Sequence, residues 1–295
     1  MKIFKIKKTK IRNIDFENLD FGSVFSDHMF SCSYVDGKWD DGMIEPYKPI
    51  LIDPSARSLH YGQACFEGMK AYKDKNGKTW LFRPLENYKR ISKSCKRLAM
   101  PTPNKEIFIE GIRKLVELDK DWVKPGLGNS LYIRPFIFAD QPSINANEAN
   151  QYKFMIICTP AKLYYSGKVK VKIEKSYSRA AKGGVGYAKA AGNYAAQFYP
   201  TMLARDRGFQ QIIWTDSSSH EYIEEAGTMN LFFRIDDTLI TPPTSDSILD
   251  GITRKSLIEI AKNSDIKVEI RPLSVKEIVN AHSSGNLKEI FGCGT

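Results

Sequence analysis

The chain has no run approaching the roughly 20 consecutive apolar residues that a membrane-spanning helix needs. Its start, MKIFKIKKTKIRN, is basic but holds no apolar core of a secretory signal, so a cytoplasmic protein without a membrane segment is expected. Histidine is scarce. His28, His60, His220 and His282 are scattered, and none stands at ligand spacing from another histidine or a cysteine, so no metal site is expected. Cysteine is sparse and odd in number: Cys32, Cys65, Cys95, Cys158 and Cys293 form no CxxC pair. Most lie inside apolar runs, which points to buried free thiols in a reducing compartment and away from a disulfide framework. Internal repeats and low-complexity tracts are absent as well. Acidic residues fall short of basic ones, 34 against 44, a formal charge of +10. Such an excess suits nucleic acid, an anionic surface or acidic small molecules. The basic residues form no block, however. The densest run, Lys168-Val-Lys170-Val-Lys172, alternates with valine and reads as a strand with one solvated face. No nucleic-acid-binding signature accompanies the charge.

What is present fits an ordinary globular core. With 295 residues, 42% hydrophobic and 26% charged, the chain is long enough for one large domain or two modest ones. Strands are predicted at 30–35 and 48–53, and a hairpin from Phe66–Tyr72 and Thr79–Phe82 turns at Asn76-Gly77. From Pro84, Leu85, Tyr88, Ile91, Cys95 and Leu98 recur at helical spacing, and a second helix covers 105–118. Strands follow at 130–138 and 153–158, around a polar loop at 140–150. After a linker near Tyr164-Tyr165-Ser166-Gly167 come a strand at 168–174, a glycine-rich loop and a helix over 193–206. Strands at 210–214 and 228–234, a helix at 253–262, a strand at 267–271, a helix at 274–282 and a strand at 287–291 complete two mixed α/β lobes.

Three segments carry candidate chemistry. In Lys182-Gly183-Gly184-Val185-Gly186-Tyr187-Ala188-Lys189-Ala190-Ala191-Gly192-Asn193-Tyr194 a phosphate-binding P-loop fails, because Ala188-Lys189-Ala190 replaces Gly-Lys-Ser/Thr. A dinucleotide fingerprint fails too, since Lys189 occupies the place of the third glycine. What remains is one lysine among small residues, which let a flat ring lie against the backbone. With few counter-charges nearby, such an ammonium loses its proton readily and can then form a Schiff base with an aldehyde. By itself, a lysine in a glycine-rich loop is most often just a solvated side chain. The second segment, Tyr222-Ile223-Glu224-Glu225-Ala226-Gly227-Thr228-Met229-Asn230, places a carboxylate before a tight turn into a strand. It is either an acidic hairpin tip or a carboxylate facing a heterocyclic nitrogen, as pyridoxal phosphate (PLP) chemistry requires. In the third, Leu249-Asp250-Gly251-Ile252-Thr253-Arg254-Lys255-Ser256-Leu257, a glycine opens a helix whose free N–H groups suit phosphate, as they do in many helices.

Together and in this order the three segments resemble the branched-chain amino acid aminotransferases of the fold type IV PLP enzymes, and the likeness covers nearly the whole chain. It includes Phe25-Ser26-Asp27-His28-Met29, Leu59-His60-Tyr61-Gly62-Gln63-Ala64-Cys65-Phe66-Glu67-Gly68-Met69-Lys70, Leu131-Tyr132-Ile133-Arg134-Pro135, Glu225-Ala226-Gly227-Thr228-Met229-Asn230 and Glu289-Ile290-Phe291-Gly292-Cys293-Gly294-Thr295. The resemblance implies a two-lobed α+β, mixed α/β fold, like that of D-amino acid aminotransferase. Residues 1–164 would be its smaller N-terminal domain and 165–295 its larger PLP-binding domain. It implies a homodimer, and reversible amino transfer between leucine, isoleucine or valine and 2-oxoglutarate.

Residue by residue, the resemblance makes Lys189 the lysine that holds PLP as a Schiff base and later shuttles a proton. Glu225 would pair with the pyridine nitrogen and Tyr194 would contact the ring's phenolic oxygen. Arg90 would bind the phosphate, with Arg179 at another position near it. Gly251, Ile252 and Thr253 would offer the helix start, and Thr228 and Thr295 would complete the cofactor site. Phe21, Tyr61, Phe66, Tyr132, Tyr164 and Thr228 match the pocket for the aliphatic side chain, where each buried methylene is worth about 0.8 kcal/mol. Arg134 matches the partner of glutamate's side-chain carboxylate, helped by the hydroxyls of Tyr61 and Tyr132. In the family the chain continues past Thr295, and the next residue offers an N–H to the substrate's α-carboxylate. The domain 165–295 is therefore expected to be incomplete, and the 295-residue chain to bind PLP weakly, tend to aggregate and turn over poorly.

D-amino acid aminotransferases and aminodeoxychorismate lyases share the fold but lack FEGMKAY in this form and the LYIRP element. A basic nucleic-acid-binding protein would need a contiguous basic face, and a non-catalytic fragment would keep the fold without turnover. The spectrum of the chain with PLP separates these readings.

Overall fold

Alternation of apolar residues along the strands, and their recurrence every three or four residues along the helices, generates the architecture. The computed structural model describes residues 1–163 and 167–295. By packing, the chain divides into two units, Met1–Ser166 and Gly167–Thr295, of which the first holds more of this chain.

The amino-terminal unit runs β1 (Lys2–Ile3), β2 (His28–Val35), β3 (Lys38–Trp39), β4 (Met43–Pro46), α1 (Arg57–Tyr61), β5 (Ala64–Phe66), β6 (Met69–Lys73), β7 (Thr79–Leu81), α2 (Pro84–Arg97), α3 (Lys105–Leu118), β8 (Ser130–Ala139) and β9 (Tyr152–Ala161). The strands form one sheet in the order β1-β4-β2-β9-β8-β6-β7, with β3 on β2 and β5 on β8. Only β1 and β4 pair in parallel. On β8 the pleat sorts side chains by face. Leu131, Ile133 and Ile137 enter a core with Ile91 and Cys95 of α2 and Phe108, Ile112 and Leu115 of α3. Tyr132, Arg134 and Phe136 therefore point to the other face. Gly111 lets α3 lie close to the sheet, because a Cβ there would stand 3.2 Å from Ile156 and 3.3 Å from Phe30.

Two expectations for this unit need correction. Residues 48–53 form no strand: Pro46, Pro49 and Pro54 remove ladder donors, and Leu51 is 98% exposed. The run 66–72 is split into β5 and β6 at Glu67-Gly68. There the ladder meets Pro135, which has no N–H to give, and accepts only the Glu67 N–H, at 2.7 Å. The hairpin turns where expected, with Gly77 at φ +79° and the Asp74 N–H bonded to the Lys78 carbonyl.

The carboxyl-terminal unit runs β10 (Val171–Ile173), α4 (Ala191–Asp206), β11 (Gln211–Thr215), β12 (Ile223–Ala226), β13 (Asn230–Ile235), β14 (Thr238–Thr241), α5 (Ile252–Asn263), β15 (Lys267–Ile270), α6 (Val275–Ser283) and β16 (Leu287–Cys293). A three-stranded sheet, β10-β11-β12, and a four-stranded one, β15-β14-β13-β16, share a core that includes Ile213, Ile223, Leu231, Phe233, Ile240, Leu273 and Ile278. The turn Gly227-Thr228 carries the chain from β12 in one sheet to β13 in the other, closed by mutual backbone bonds between Ala226 and Met229 at 3.0 Å. The predicted strand at 168–174 shortens to β10. Two strands, β12 and β14, have no counterpart among the predicted elements.

All five cysteines are free and buried. Among the described residues, no helix is long and apolar enough to cross a membrane, and no group of three or more His, Cys, Asp and Glu could hold a metal ion.

Candidate active site

In the carboxyl-terminal unit the glycine-rich loop leads straight into α4. Ala188 and Ala190, both buried, flank Lys189. Asn193, in the first turn of α4, ties the loop down by donating to the carbonyls of Val185 (2.8 Å) and Ala188 (2.9 Å). The Lys189 Nζ donates to the Tyr194 hydroxyl at 2.6 Å, so the two predicted residues meet, five apart across the helix start. The glycines serve a close approach of backbone to backbone. A Cβ on Gly186 would stand 2.6 Å from the Ser247 Cα and 2.8 Å from the Asp246 carbonyl oxygen. Tyr187 donates its N–H to that same carbonyl at 2.9 Å.

Glu225 lies at the end of β12, 5% exposed. Burial pushes its carboxyl up to about 7, against the opposing pull of the Arg179 guanidinium, the Leu249 N–H and the Lys189 ammonium. Arg179 pairs with the Glu225 Oε1 at 3.0 Å and also donates to the Ser247 carbonyl. The structure thus sets Arg179 on the Glu225 carboxylate, a contact that spacing did not disclose. The Arg179 Nε is buried with no partner among the described residues. The neighbouring Glu224 is raised by burial and accepts from the Ser247 hydroxyl.

Leu249 donates its N–H to the Glu225 Oε2 at 3.0 Å and leads through Gly251, the N-cap of α5, to Ile252 and Thr253. Among the described residues no side-chain cap bond forms at this N-cap, a glycine, so the first N–H groups, which have no intrahelical acceptor, gain none from the cap. Thr228 is exposed at the turn between the two sheets, and a Cβ on Gly294 would stand 3.2 Å from its carbonyl oxygen. Thr228 and the segment ending in Thr295 are therefore neighbours.

In the amino-terminal unit, Phe21, Phe66, Tyr132 and Arg134 form one group. The Arg134 guanidinium lies over the Phe66 ring at 4.4 Å and the Tyr132 ring at 5.2 Å, and donates to the Tyr132 hydroxyl at 2.9 Å. Phe21 meets Tyr132 edge-on, with ring centres 5.0 Å apart. The Arg134 Nε is buried with no partner among the described residues. Gly68 leaves the room Tyr132 needs, since a Cβ there would stand 2.1 Å from its hydroxyl. Tyr61, in α1, instead bonds the Ile144 carbonyl. Tyr164 lies outside the described residues. Arg90 is held by Glu67, which is fully buried: Nε to Oε1 and Nη2 to Oε2, each 2.8 Å. Asn87, one turn earlier on α2, donates to the same carboxylate at 2.7 Å. Glu67 stands inside the FEGMKAY element, but an acidic residue in a strand pattern gives no sign of its partner. The Asn87/Arg90 spacing on one helix face was the available signal.

The residues of the carboxyl-terminal unit fit PLP. A buried carboxylate with a raised affinity for protons suits a pyridinium N–H. An uncapped helix start suits a phosphate. A lysine among small side chains suits an aldehyde.

The comparisons agree with this chemistry. Residues 64–295 match the family model described as amino-transferase class IV. The chain is 46% identical to a probable branched-chain-amino-acid aminotransferase of Staphylococcus epidermidis, over 95% of this chain and 80% of that protein. It is 44% identical to branched-chain-amino-acid transaminase 1 of Bacillus subtilis, with the same coverage of each. Among solved structures it resembles the branched-chain amino acid aminotransferase of Escherichia coli, with a TM-score of 0.73, 27% identity and 90% and 83% of the two chains covered. It also resembles a second branched-chain amino acid aminotransferase, solved in complex with N-(5'-phosphopyridoxyl)-L-glutamate, with a TM-score of 0.71, 26% identity and 90% and 82% covered. With the family model over most of its length and close relatives along nearly all of it, the chain belongs to the class IV aminotransferases and, within them, to the branched-chain amino acid aminotransferases.

Proposed function

We propose that the protein transfers the amino group of leucine, isoleucine or valine to 2-oxoglutarate, reversibly and with PLP, and that the residues named above divide the work as follows. When bound, PLP draws electrons from the α-carbon of the amino acid through its ring and so makes the proton there removable. Lys189 would hold the cofactor's aldehyde carbon and, once displaced by the substrate amine, carry that proton on its Nζ. Tyr194, bonded to the same Nζ, orients it. Glu225, in its anionic form, accepts the ring nitrogen's N–H, and Arg179 and the Leu249 N–H keep that carboxylate in place. Ile252 and Thr253 offer N–H groups, and Thr295 a hydroxyl, to the phosphate. Arg90 and Thr228 are assigned to the same cofactor.

Phe21, Phe66, Tyr61, Tyr132 and Tyr164 are assigned to the aliphatic side chain. Arg134, with the Tyr132 hydroxyl, is assigned to the side-chain carboxylate of glutamate and 2-oxoglutarate. A guanidinium already braced between two rings keeps its direction while staying able to bind a carboxylate.

The observation that carries this reading is Glu225, a buried carboxylate held by Arg179 and the Leu249 N–H in the same unit as the Lys189–Tyr194 pair. Its test is reduction of the PLP-loaded protein with borohydride, followed by peptide mapping and an assay with leucine and 2-oxoglutarate. Label on Lys189 together with glutamate formation is the expected result; label on another lysine overturns the assignment. We also assign the protein to the cytoplasm, a compartment its five free, buried thiols suit, and to a homodimer.

A further inference from the structure

Asn230 stands out in the sequence only as the last letter of EAGTMN, and the mechanism above gives it no task. Its surroundings are unusual. It opens β13, directly across the turn from Glu225, and is 6% exposed. Its Nδ2 donates to the Leu249 carbonyl at 2.9 Å and stands 3.5 Å from the Glu225 Oε2. That same Oε2 accepts the Leu249 N–H at 3.0 Å. Leu249 is therefore gripped on both of its backbone groups, one by Glu225 and one by Asn230. Two residues later the chain enters α5. Gly251 lies so close that a Cβ there would be 1.8 Å from the Asn230 Oδ1. Turning the amide away would relieve that clash but would give up the bond to Leu249.

We propose that Asn230 is a positioning residue that fixes the spacing between the Glu225 carboxylate and the amino end of α5. One cofactor molecule is then held by its ring nitrogen and its phosphate at once. The inference rests on the PLP reading of this site and deepens it. Two anchors at a fixed distance bind a two-ended ligand far better than either end alone, because the second contact is made at no further entropic cost. Anchors that drift apart keep their separate affinities and lose that gain. Gly251 is explained by the same contact: its lack of a side chain is the room Asn230 occupies.

The test compares the apo 295-residue chain binding PLP with the same chain binding pyridoxal, which lacks the phosphate, by absorbance titration. In the unaltered protein PLP binds much more tightly. Asn230→Ala should reduce the PLP-over-pyridoxal preference by about tenfold, as losing one buried hydrogen bond at the joint implies, while pyridoxal affinity changes less. Asn230→Asp keeps the size but sets a carboxylate oxygen against the Leu249 carbonyl and Glu225, and should reduce the preference at least as far. Gly251→Ala alone should lower PLP affinity strongly. Added to Asn230→Ala it should cost little more, because the side chain it strikes is gone. Circular dichroism of each apo variant establishes that it folds. Equal losses for PLP and pyridoxal, or additive effects of the two alanines, would overturn the proposal while leaving the PLP reading standing. Failure of the unaltered chain to bind PLP would overturn both.

Discussion

Glu225 shows what burial does to one side chain. Its carboxyl is raised from an ordinary 4.5 to about 7, chiefly by burial, and Arg179 only partly offsets this. Between these values the folded apo chain binds more protons than the unfolded chain, so the stability contribution is complete below about pH 4.5. It is lost as the pH rises through 7. A shift of this size corresponds to about 3 kcal/mol. The difference in unfolding free energy between the unaltered apo protein and Glu225→Gln should therefore change by that order between pH 4.5 and 8, to the detriment of the unaltered protein. Denaturant titrations at both pH values measure it, and parallel pH profiles would contradict the raised carboxyl. Arg134 poses the complementary problem of a cation among aromatic rings. Removing it in Arg134→Ala should reduce kcat/KM for glutamate and 2-oxoglutarate by about a hundredfold, the worth of a hydrogen-bonded charge. Leucine, with no second carboxylate, should lose far less. Equal losses would detach Arg134 from substrate selection.

The elements matter through where they bring the chain close to itself. The loop before α4 and the segment before α5 are far apart in sequence, yet Gly186 touches Ser247 backbone to backbone. Because the obstacle to a Cβ is main chain, no side-chain rotation can relieve it. Gly186→Ala should cost roughly 1–3 kcal/mol of stability, the usual penalty of overpacking. It should also displace Lys189 relative to Glu225. A lowered melting temperature together with weakened PLP binding is the expected result, and an unchanged melting temperature would show that the loops yield freely. The β12–β13 turn works similarly. Three residues move the chain between sheets, so Glu225 and Asn230 end up on the two sides of one short crossing.

At the scale of the molecule, each unit has its own apolar core. Several large apolar side chains nevertheless remain in water, among them Leu51 at 98%, Phe198 at 70%, Ile144 at 66% and Leu59 at 60% exposure. Scattered singly they need no explanation, but a homodimer gives such side chains a place to go. Sedimentation velocity on the PLP-loaded protein should show a species of twice the chain mass at micromolar concentration. A monomer that persists into the tens of micromolar would remove the dimer from the assignment.

The sequence by itself determined the elements with a strong period: 105–118 is helical as predicted, and α2, α4, α5 and α6 lie within two residues of their predicted ends. It also pointed to Lys189 and Glu225, because a lone lysine among small residues and a carboxylate before a turn are local features, whereas Tyr194 came from the family resemblance. What it could not determine were the partners. That Arg179 grips Glu225, that Glu67 grips Arg90, and that Asn230 fills the space beside Gly251 are contacts between residues far apart along the chain. No periodicity records them. The failures at 48–53 and 66–72 have a related cause. A strand exists only where a neighbour can pair with it. An N–H that proline lacks, in the run itself or in the strand opposite, becomes decisive only once the tertiary structure has chosen that neighbour.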